Sequence, residues 1–556
     1  MLPMSNPSAL NMDKDSAQQS RANVAGNAGI VSLAVMASRV LGLVRDQIFA
    51  GLFGAGLHYD AFLTAFRVPN LLRDLLAEGA LSSAFVTTFT QTLQQKGKDA
   101  ALRLSNRVAT LIVAFIIAIS IFAWILTPEI VRLLAPGFFA VPGKAELTIQ
   151  LTRVMMPFLL LIALAAQAMG MLNAFNIYGV PALASAFFNI GSVAGGLLLG
   201  YLVGPYIGLS PIAGMAYGVL IGGFLQFAVQ WPSLRRCGVG YHVDFNVNDA
   251  GVRQIFRLMG PAIIGAAAVQ INVFVNTSFA SAIVDPASGA IVNGPVSWLN
   301  YAFRFMQFPI GVFGVAIATA ALPTLSRSTA NPDYGEFRQT LAHSLALVFL
   351  LCIPSAVGLA VLAKPIVALV FEHGKFTAFD TAQTASALAA YAIGLAGYGA
   401  IKVLSPAFYA LGDARTPMMI SLGSIAVNYF MNSLLVGPFG HVGLAFSTSA
   451  VALVNFVLLA LLMRRRLGRL GGRQLAVTAL KIGLASAALA VVAWIVNENA
   501  GALPIRGLAL EFGRVVIAIV LAGATFYVVC RLLQVDELQE AIDAIGGKLM
   551  RRLKRR

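Results

Sequence analysis

Arginines that lie inside apolar, helix-length stretches are the residues of this chain best suited to chemistry. Arg39 and Arg45 lie in a stretch from about Ile30 to Ala55, Arg73 lies in the next stretch, and Arg304 lies in a later one. Insertion scales put an arginine at the centre of a bilayer at roughly +2.5–3.5 kcal/mol, so random drift does not explain several of them. A membrane protein keeps such groups where they line a water-filled cavity. The pattern predicts transport of a negatively charged substrate.

Polar residues accompany these arginines at helical spacing. Arg39 and Asp46 share a helix face, whereas Arg45 points about 120° away from Arg39. We interpret Asp46 as a local counter-charge. The guanidinium group suits an anion because it stays charged and pairs bidentately with phosphate oxygens. The sequence predicts a polar surface drawn from three helices and formed by Arg39, Arg45, Asp60, Asn70, Arg73, Glu78, Ser297, Arg304 and Gln307.

Arg67 and Asp60 also have a purely structural interpretation. An arginine near a helix end can extend to the lipid headgroups, which is an open alternative for Arg67. Asp60 can simply cap the second helix from the outer loop. Arg39 and Arg304 are flanked by apolar residues on both sides, so extension to the headgroups is harder and the sequence favours a cavity position for them.

The composition defines the class of protein. Of the 556 residues, 58% are hydrophobic and 11% are charged, and the mean hydropathy is +0.80. Soluble domains carry about 25% charged residues, so the chain is predicted to be a polytopic membrane protein. The formal net charge of +16 comes from short basic runs between apolar segments. That distribution follows the positive-inside rule and argues against nucleic acid as a partner.

The sequence contains no recognisable catalytic or metal-binding pattern. The three cysteines lack metal-ligand spacing, the five histidines are isolated, and neither a Walker A nor a serine-elbow motif occurs. Gly51, Gly54 and Gly56 lack the strand-to-helix context of a phosphate loop, which favours a role in close packing or turns. We therefore predict no enzyme, no cofactor and no metal site, and the sequence leaves any coupling ion open.

Apolar stretches of about 20 residues predict about fourteen transmembrane helices, an even number. Basic residues concentrate in the even-numbered loops and at the carboxyl end, which predicts that both termini face the cytoplasm. Lys144, Lys375 and Arg506 are the clearest exceptions to this distribution.

The chain resembles itself at a spacing of about 230–240 residues, as in Ala65–Arg67 and Ala302–Arg304. This spacing covers six helices and predicts two six-helix lobes related by a parallel repeat around a central cavity, with two additional C-terminal helices. The predicted organisation is a disordered cytoplasmic tail (1–27), the first lobe (28–236), a cytoplasmic linker (237–256), the second lobe (257–466), the two additional helices (467–533) and a basic amphipathic cytoplasmic tail (534–556).

Several segments closely resemble the MurJ (MviN) lipid II flippase family of the MOP transporter superfamily. The similarity extends from about Ile30 to about Arg466, and its amino-terminal part is the most specific. The segments that carry it are SRVLGLVRD (38–46), FGAG (53–56), DAF (60–62), FRVPNLLR (66–73), AEGA (77–80), FP (308–309), GVFGVA (311–316), LPTLS (322–326) and FEHGKF (371–376).

The resemblance implies a flippase that moves lipid II, an undecaprenyl-pyrophosphate-linked peptidoglycan precursor, from the cytoplasmic to the periplasmic leaflet of the bacterial inner membrane by alternating access. It implies membrane lipids and the cell-wall synthesis machinery as further partners, and a lipid-tail groove formed by the two additional helices. The residues implied for the substrate cavity are Arg39, Arg45, Arg73 and Arg304, together with Asp60, Asn70, Glu78 and Ser297.

Three positions depart from the family pattern. Some relatives have an acidic residue just before the eighth-helix arginine and a glutamate three residues after it, where this chain has Phe303 and Gln307. Asp74 stands where another basic residue can follow Arg73. The alternatives left open are a flippase for another polyprenyl-linked glycan, a drug exporter of the same superfamily, and a membrane enzyme acting on polyprenyl phosphates. The arginine-rich surface argues against an exporter of cations.

Overall fold

The computed structural model describes residues 34–75, 82–330, 333–468, 471–501 and 508–539. The predicted amino-terminal tail, Glu78 and the end of the carboxyl-terminal tail lie outside these ranges. Over the described part the regular secondary structure is helical, apart from one isolated β-bridge between Val284 and Ile291. The prediction of an all-α membrane protein is confirmed.

The α-helices are numbered here in chain order. They are α1 (34–53), α2 (Leu57–Leu72), α3 (Ser82–Lys96), α4 (Lys98–Ile125), α5 (Thr127–Leu134), α6 (Lys144–Met155), α7 (Phe158–Ala174), α8 (Gly179–Leu197), α9 (Gly204–Ile207), α10 (Pro211–Ala228), α11 (Trp231–Arg236), α12 (Ala250–Ser281), α13 (Pro295–Pro309), α14 (Val315–Ser328), α15 (Gly335–Val361), α16 (Ala363–Phe371), α17 (Ala378–Ala392), α18 (Leu395–Ala410), α19 (Arg415–Leu467), α20 (Gly472–Gly501) and α21 (Leu508–Leu532).

Many of these helices are long and apolar enough to cross a bilayer. Within the described ranges nine helical segments meet that standard, and α17 with α18 forms one further pair, bent by 45°. A bilayer core about 30 Å thick requires about 20 residues of helix. A multi-pass arrangement therefore follows, while the count of about fourteen spans stays a prediction.

The longest helix, α19, consists of two helices joined by a sharp turn. It has 53 residues, which would give a straight rod of about 80 Å, far longer than a bilayer is thick. Gly440 interrupts it with φ 55° and ψ −133°. The hydroxyl of Ser447 donates to Asn428 Oδ1 at 3.2 Å, although 19 residues separate the two. The halves before and after Gly440 are therefore antiparallel neighbours.

The same local deviation from α-helical geometry occurs at two positions related by the predicted repeat. Residues 73–75, directly after α2, and Ile310–Gly314, directly after α13, both form π-helical turns. The two turns begin 237 residues apart, which is also the separation between Asp60 and Ser297. Turns of this kind are frequent at functional sites in helices. Two π-helical turns at this offset agree with the predicted internal repeat. The boundaries of the two lobes stay a prediction.

The described residues form two compact units. The first contains those within Met1–Ile48, Ala61–Val131 and Ala145–Ala267, and the second contains those within Phe49–Asp60, Arg132–Lys144 and Ala268–Arg556. In the first unit α8 and α10 pack through glycines. In the second unit α20 and α21 pack on each other and on α15 through a core of Leu362, Leu489, Ala493, Ala518 and Ala522.

Candidate functional site

Two arginines of the first unit each contact the aspartate that follows them in the chain. Nε and Nη2 of Arg45 donate to Asp46 Oδ1 at 3.2 and 3.1 Å. Nε and Nη2 of Arg73 donate to Asp74 Oδ1 at 3.1 and 2.8 Å. The arginine side chains are 19% and 23% exposed. The prediction that Asp46 acts as a local counter-charge is confirmed, and its partner is Arg45.

In each pair the aspartate neutralises the positive charge of an arginine on a membrane helix. A lone charge in a low-dielectric medium is costly, and a paired, hydrogen-bonded one is much less so. A guanidinium carries five N–H donors, and Asp46 receives two of those on Arg45. The remaining edge of such a group can engage a phosphate oxygen while the carboxylate stays in place.

Arg39 and Asn70 are the other predicted site residues of the first unit. The side chain of Arg39 is exposed on α1, and that of Asn70 is half-buried near the end of α2. Arg39 precedes Asp46 by about two turns on the same helix. Their role in a shared cavity stays a prediction.

Asp60 and Ser297, two predicted site residues far apart in the sequence, are in direct contact in the second unit. Ser297 donates to Asp60 Oδ1 through its hydroxyl at 2.6 Å and through its backbone N–H at 2.9 Å. Asp60 Oδ2 accepts the Gly294 N–H at 2.7 Å and Lys144 Nζ at 2.9 Å. Lys144 Nζ also donates to Asn293 Oδ1 at 2.8 Å.

The group formed by Asp60, Lys144, Asn293, Gly294 and Ser297, here termed the Asp60 cluster, is a hydrogen-bonded network around a buried ion pair. The side chains of Lys144 and Asp60 are 0% and 1% exposed. Gly294 is the residue at which α13 begins, so the carboxylate also compensates the positive end of that helix dipole. Asp60 therefore caps α13, a helix distant in the sequence, whereas the structural alternative placed the cap on its own helix.

Lys144 is the residue of this cluster that the sequence analysis did not assign. Its position could have indicated a special role, because Lys144 is a basic residue in a loop that the charge distribution places on the outer face. Its Nζ also lies 4.1 Å from the centroid of the Phe138 ring, a cation–π contact. Burial beside Asp60 explains why a lysine occurs there.

Two segments that carry the family resemblance meet beside the Asp60 cluster. The Lys375 N–H donates to Gly51 O at 2.9 Å. Gly54 has φ +66°, and a Cβ on it would lie 2.5 Å from Lys375 O. Tyr59 stacks on Tyr301 with ring centroids 5.1 Å apart. The prediction of close packing and turns is confirmed for Gly51 and Gly54, whereas a Cβ on Gly56 would meet no atom within 4 Å.

Arg304 lies half-buried on α13 and contacts the next turn of its own helix. Its Nη1 donates to Gln307 Oε1 at 3.2 Å. Ser297, another predicted site residue on α13, is bonded to Asp60. Phe303 packs edge-on against Tyr391, with centroids 5.4 Å apart. Where some relatives have carboxylates, this chain therefore has an aromatic contact and a neutral amide beside Arg304.

No metal centre is apparent in the part of the chain that the structure describes, where no three His, Cys, Asp or Glu side chains are grouped to hold an ion. The structure brings together three sets of predicted residues: Arg45 with Asp46, Asp60 with Ser297, and Arg304 with Gln307. A common cavity for the arginines of the two units stays a prediction.

A multi-pass helical fold with arginines on its membrane helices is typical of a membrane transporter. The fold is similar to an inward-facing multidrug resistance MATE family transporter of the MOP superfamily, with a TM-score of 0.65, 17% identity, and coverage of 78% of this chain and 96% of the other. It is also similar to the structure titled "Lipid II flippase MurJ, inward closed conformation", with a TM-score of 0.73, 26% identity, and coverage of 90% and 99%.

Sequence comparison identifies the family. Residues 49–504 match the family model "Lipid II flippase MurJ". The chain is 36% identical to the lipid II flippase MurJ of Burkholderia cenocepacia over 440 residues, covering 78% of this chain and 83% of the relative. It is 34% identical to the probable lipid II flippase MurJ of Buchnera aphidicola from Acyrthosiphon pisum, covering 77% and 82%. The chain belongs to the MurJ lipid II flippase family.

Proposed function

We propose that this protein is a lipid II flippase, a transporter and not an enzyme. The family match over residues 49–504 carries the proposal, and the arginines on membrane helices agree with it chemically. Lipid II has a pyrophosphate that needs a cationic site, whereas its isoprenoid tail can remain in lipid. We infer transport from the cytoplasmic to the periplasmic leaflet of the bacterial inner membrane.

Arg39, Arg45, Arg73 and Arg304 are proposed to bind the pyrophosphate. Support comes from the partial exposure of Arg45 and Arg73 and from their pairing with a single carboxylate oxygen each. A bidentate contact to phosphate is compatible with that geometry because the guanidinium fork presents donors along more than one edge. Asn70, Glu78, Gln307, Asp60 and Ser297 are proposed as further polar positions of the same pathway.

The Asp60 cluster is proposed to hold one state of the alternating-access cycle. α2 begins in the second unit at Leu57 and continues in the first unit after Asp60. Any movement of one unit against the other therefore acts on this helix and on the bonds that Asp60 makes. Fully buried in the conformation described, Asp60 and Ser297 become available to a substrate only after those bonds exchange.

The lipid tail is proposed to lie along α20 and α21, the two helices outside the repeat. In the same unit a cavity of about 1020 Å³ is lined by α15, α19, α20 and Gln534–Glu537. Both termini are proposed to be cytoplasmic, and enzymes of cell-wall synthesis are proposed as neighbours in the membrane.

Complementation tests the proposed substrate. The chain is expressed in cells depleted of their own lipid II flippase, and the lipid II accessible at the periplasmic face is measured. Rescue of growth with restored exposure of lipid II is expected. A chain that is inserted and abundant but exposes no lipid II would refute the assignment and direct attention to another polyprenyl-linked glycan. Purified protein that altered lipid II chemically would point to an enzyme instead.

A further inference from the structure

The segment between α11 and α12, residues 237–249 and here called the linker, presents an apolar stripe to its surroundings. Tyr241, Val243, Phe245 and Val247 are 48%, 66%, 62% and 54% exposed. They occupy alternate positions of a chain segment without helical structure, and alternation places such side chains on one side of an extended backbone. The sequence predicted a cytoplasmic linker over 237–256 and gave no indication of this stripe.

The polar side chains of the linker attach it to α4. Arg107 Nε donates to Asp244 Oδ2 at 2.7 Å, and Arg107 Nη1 donates to Asp249 Oδ2 at 2.6 Å. The backbone N–H of Asp244 donates to Thr110 Oγ1 at 3.1 Å. The hydroxyl of Tyr241 lies 3.2 Å from that of Thr110. The linker is therefore held in one orientation, with the Tyr241 hydroxyl directed at α4 and the side chains of Val243, Phe245 and Val247 exposed.

The attachment points lie where a membrane helix passes from polar to apolar. Arg107 and Thr110 belong to α4, which is long and apolar enough to span a bilayer. On the same helix Phe115 is 52% exposed, and it lies only about 7.5 Å beyond Thr110 along the axis at 1.5 Å per residue. The linker also directly follows Arg236, the last residue of another candidate span. The linker therefore lies beside the polar ends of two candidate spans.

Exposed basic residues surround the stripe. Arg235 and Arg236 precede the linker, and Arg253 and Arg257 follow it on α12, all four exposed. The two acidic residues of the linker are both engaged by Arg107. Aromatic and aliphatic side chains combined with unneutralised arginines are typical of a surface that binds anionic lipid.

We propose that the linker is a membrane-docking element whose apolar stripe enters the headgroup layer while the four arginines bind anionic phospholipid phosphates. The occupant is the lipid surface of the leaflet at which α4 begins and α11 ends. This inference does not depend on which lipid-linked substrate the protein transports, since it concerns only residues of the first unit outside the proposed substrate site.

Site-directed spin labelling of the full chain tests the proposal. Cys237, Cys352 and Cys530 are first replaced, and a nitroxide is then attached to Phe245→Cys or, as the matched control, to Asn246→Cys on the other side of the backbone. Each protein is placed in nanodiscs of phosphatidylcholine with or without phosphatidylglycerol. Collision rates with oxygen, which partitions into lipid, and with a water-soluble nickel complex report depth.

We expect a severalfold higher ratio of oxygen to nickel accessibility at position 245 than at 246, and a drop at 245 when phosphatidylglycerol is omitted. Replacing Arg235, Arg236, Arg253 and Arg257 with glutamine should produce the same drop with an unchanged melting temperature. Equal water accessibility at 245 and 246 in phosphatidylglycerol would overturn the proposal. Spin–spin broadening at 245 that grows with the number of chains per disc would do so too, by identifying a second copy as the occupant.

Discussion

Three arginines on the membrane helices of this protein each contact a polar residue that lies close in the sequence. Arg45 and Arg73 contact the aspartates that follow them, and Arg304 contacts Gln307 one turn away. Pairing lowers the cost of holding a guanidinium among apolar residues, and a contact to one carboxylate oxygen can exchange with phosphate more readily than a fully buried bridge. The Lys144–Asp60 pair is of the opposite kind, because it is buried and has several additional donors.

Arg304→Ala is expected to abolish lipid II export while leaving folding and insertion intact, because it removes a proposed phosphate donor from the face of α13. Arg327→Ala is the control, since Arg327 is an exposed arginine at the end of the same span. Exposure of lipid II in depleted cells is the measurement. Full activity of Arg304→Ala at normal protein levels would remove Arg304 from the site.

Lys144→Met is expected to destabilise the protein by about 3–5 kcal/mol, since it leaves the Asp60 carboxylate buried without its cationic partner. Lys364→Met serves as the control because Lys364 is an exposed lysine in the same unit. Thermal unfolding of both variants in the same detergent should show a lower melting temperature for Lys144→Met only. Equal melting temperatures would mean that the remaining donors to Asp60 suffice.

At the scale of elements, close approach of the backbone decides which residues the helix junctions accept. Gly440 takes a positive φ where α19 reverses direction, and a Cβ on Gly443 would lie 2.2 Å from Leu435 O. L-residues rarely adopt the conformation of Gly440. The reversal of α19 thus depends on Gly440 for its backbone conformation and on Gly443 for close approach of the two halves.

Gly440→Ala should lower the free energy of unfolding by about 1–3 kcal/mol through backbone strain. Gly437→Ala is the matched control, because a Cβ there meets no atom within 4 Å and alanine favours a helix by about 1 kcal/mol over glycine. Thermal unfolding should therefore show opposite shifts for the two variants. A destabilised Gly437→Ala, or an unaffected Gly440→Ala, would contradict this account of the turn.

The attachment of the linker to α4 should be lost only in acid. The hydrogen bond from Arg107 is the main cause that lowers the pKa of Asp244 below its ordinary value of 3.8. A lowered pKa means that the contact stabilises the folded form fully above that value and loses its contribution as the pH falls through the folded pKa. Asp249 shares Arg107 and reinforces the attachment.

Nitroxide mobility at Asn246→Cys between pH 3 and pH 8 provides the measurement for this prediction. A constant, restricted spectrum is expected from neutral pH down to about pH 4, with increasing mobility at lower pH. Arg107→Gln should be mobile over the whole range. A mobility change near neutral pH would show that another group controls the linker.

At the scale of the whole molecule, the predicted repeat relates helices whose surroundings differ. The π-helical turns after α2 and α13 lie at equivalent repeat positions, yet Arg73 is followed by an aspartate and α13 continues into the apolar segment of α14. Asp60 and Ser297 are equivalent in the repeat and bond to each other. The repeat thus supplies both partners of one contact.

Reporter fusions should show the carboxyl terminus in the cytoplasm, as the basic tail predicts. Green fluorescent protein fused after Arg556 should fluoresce, whereas alkaline phosphatase at that position should be inactive. Alkaline phosphatase inserted after Ser288, in the exposed turn between α12 and α13, should be active. The reverse result at either position would invert the proposed topology.

The amino-acid sequence alone determined the membrane class, the helical architecture, the family and the role of Asp46 as a local counter-charge. These follow from composition, from periodicity and from residues adjacent in the chain, which are readable without knowledge of long-range contacts. The glycines of residues 51–56 were likewise assigned to packing because their sequence context excluded a phosphate loop.

Only the tertiary structure decided that Asp60 caps α13, that Lys144 is its buried partner, and that the linker directs its apolar side chains outward. Each of these depends on groups distant in sequence: 237 residues separate Asp60 from Ser297, and 137 separate Arg107 from Asp244. The sequence does not show whether a charged side chain is solvated or paired with an opposite charge. Burial and the position of the opposite charge set its energy, and both arise only when the chain folds.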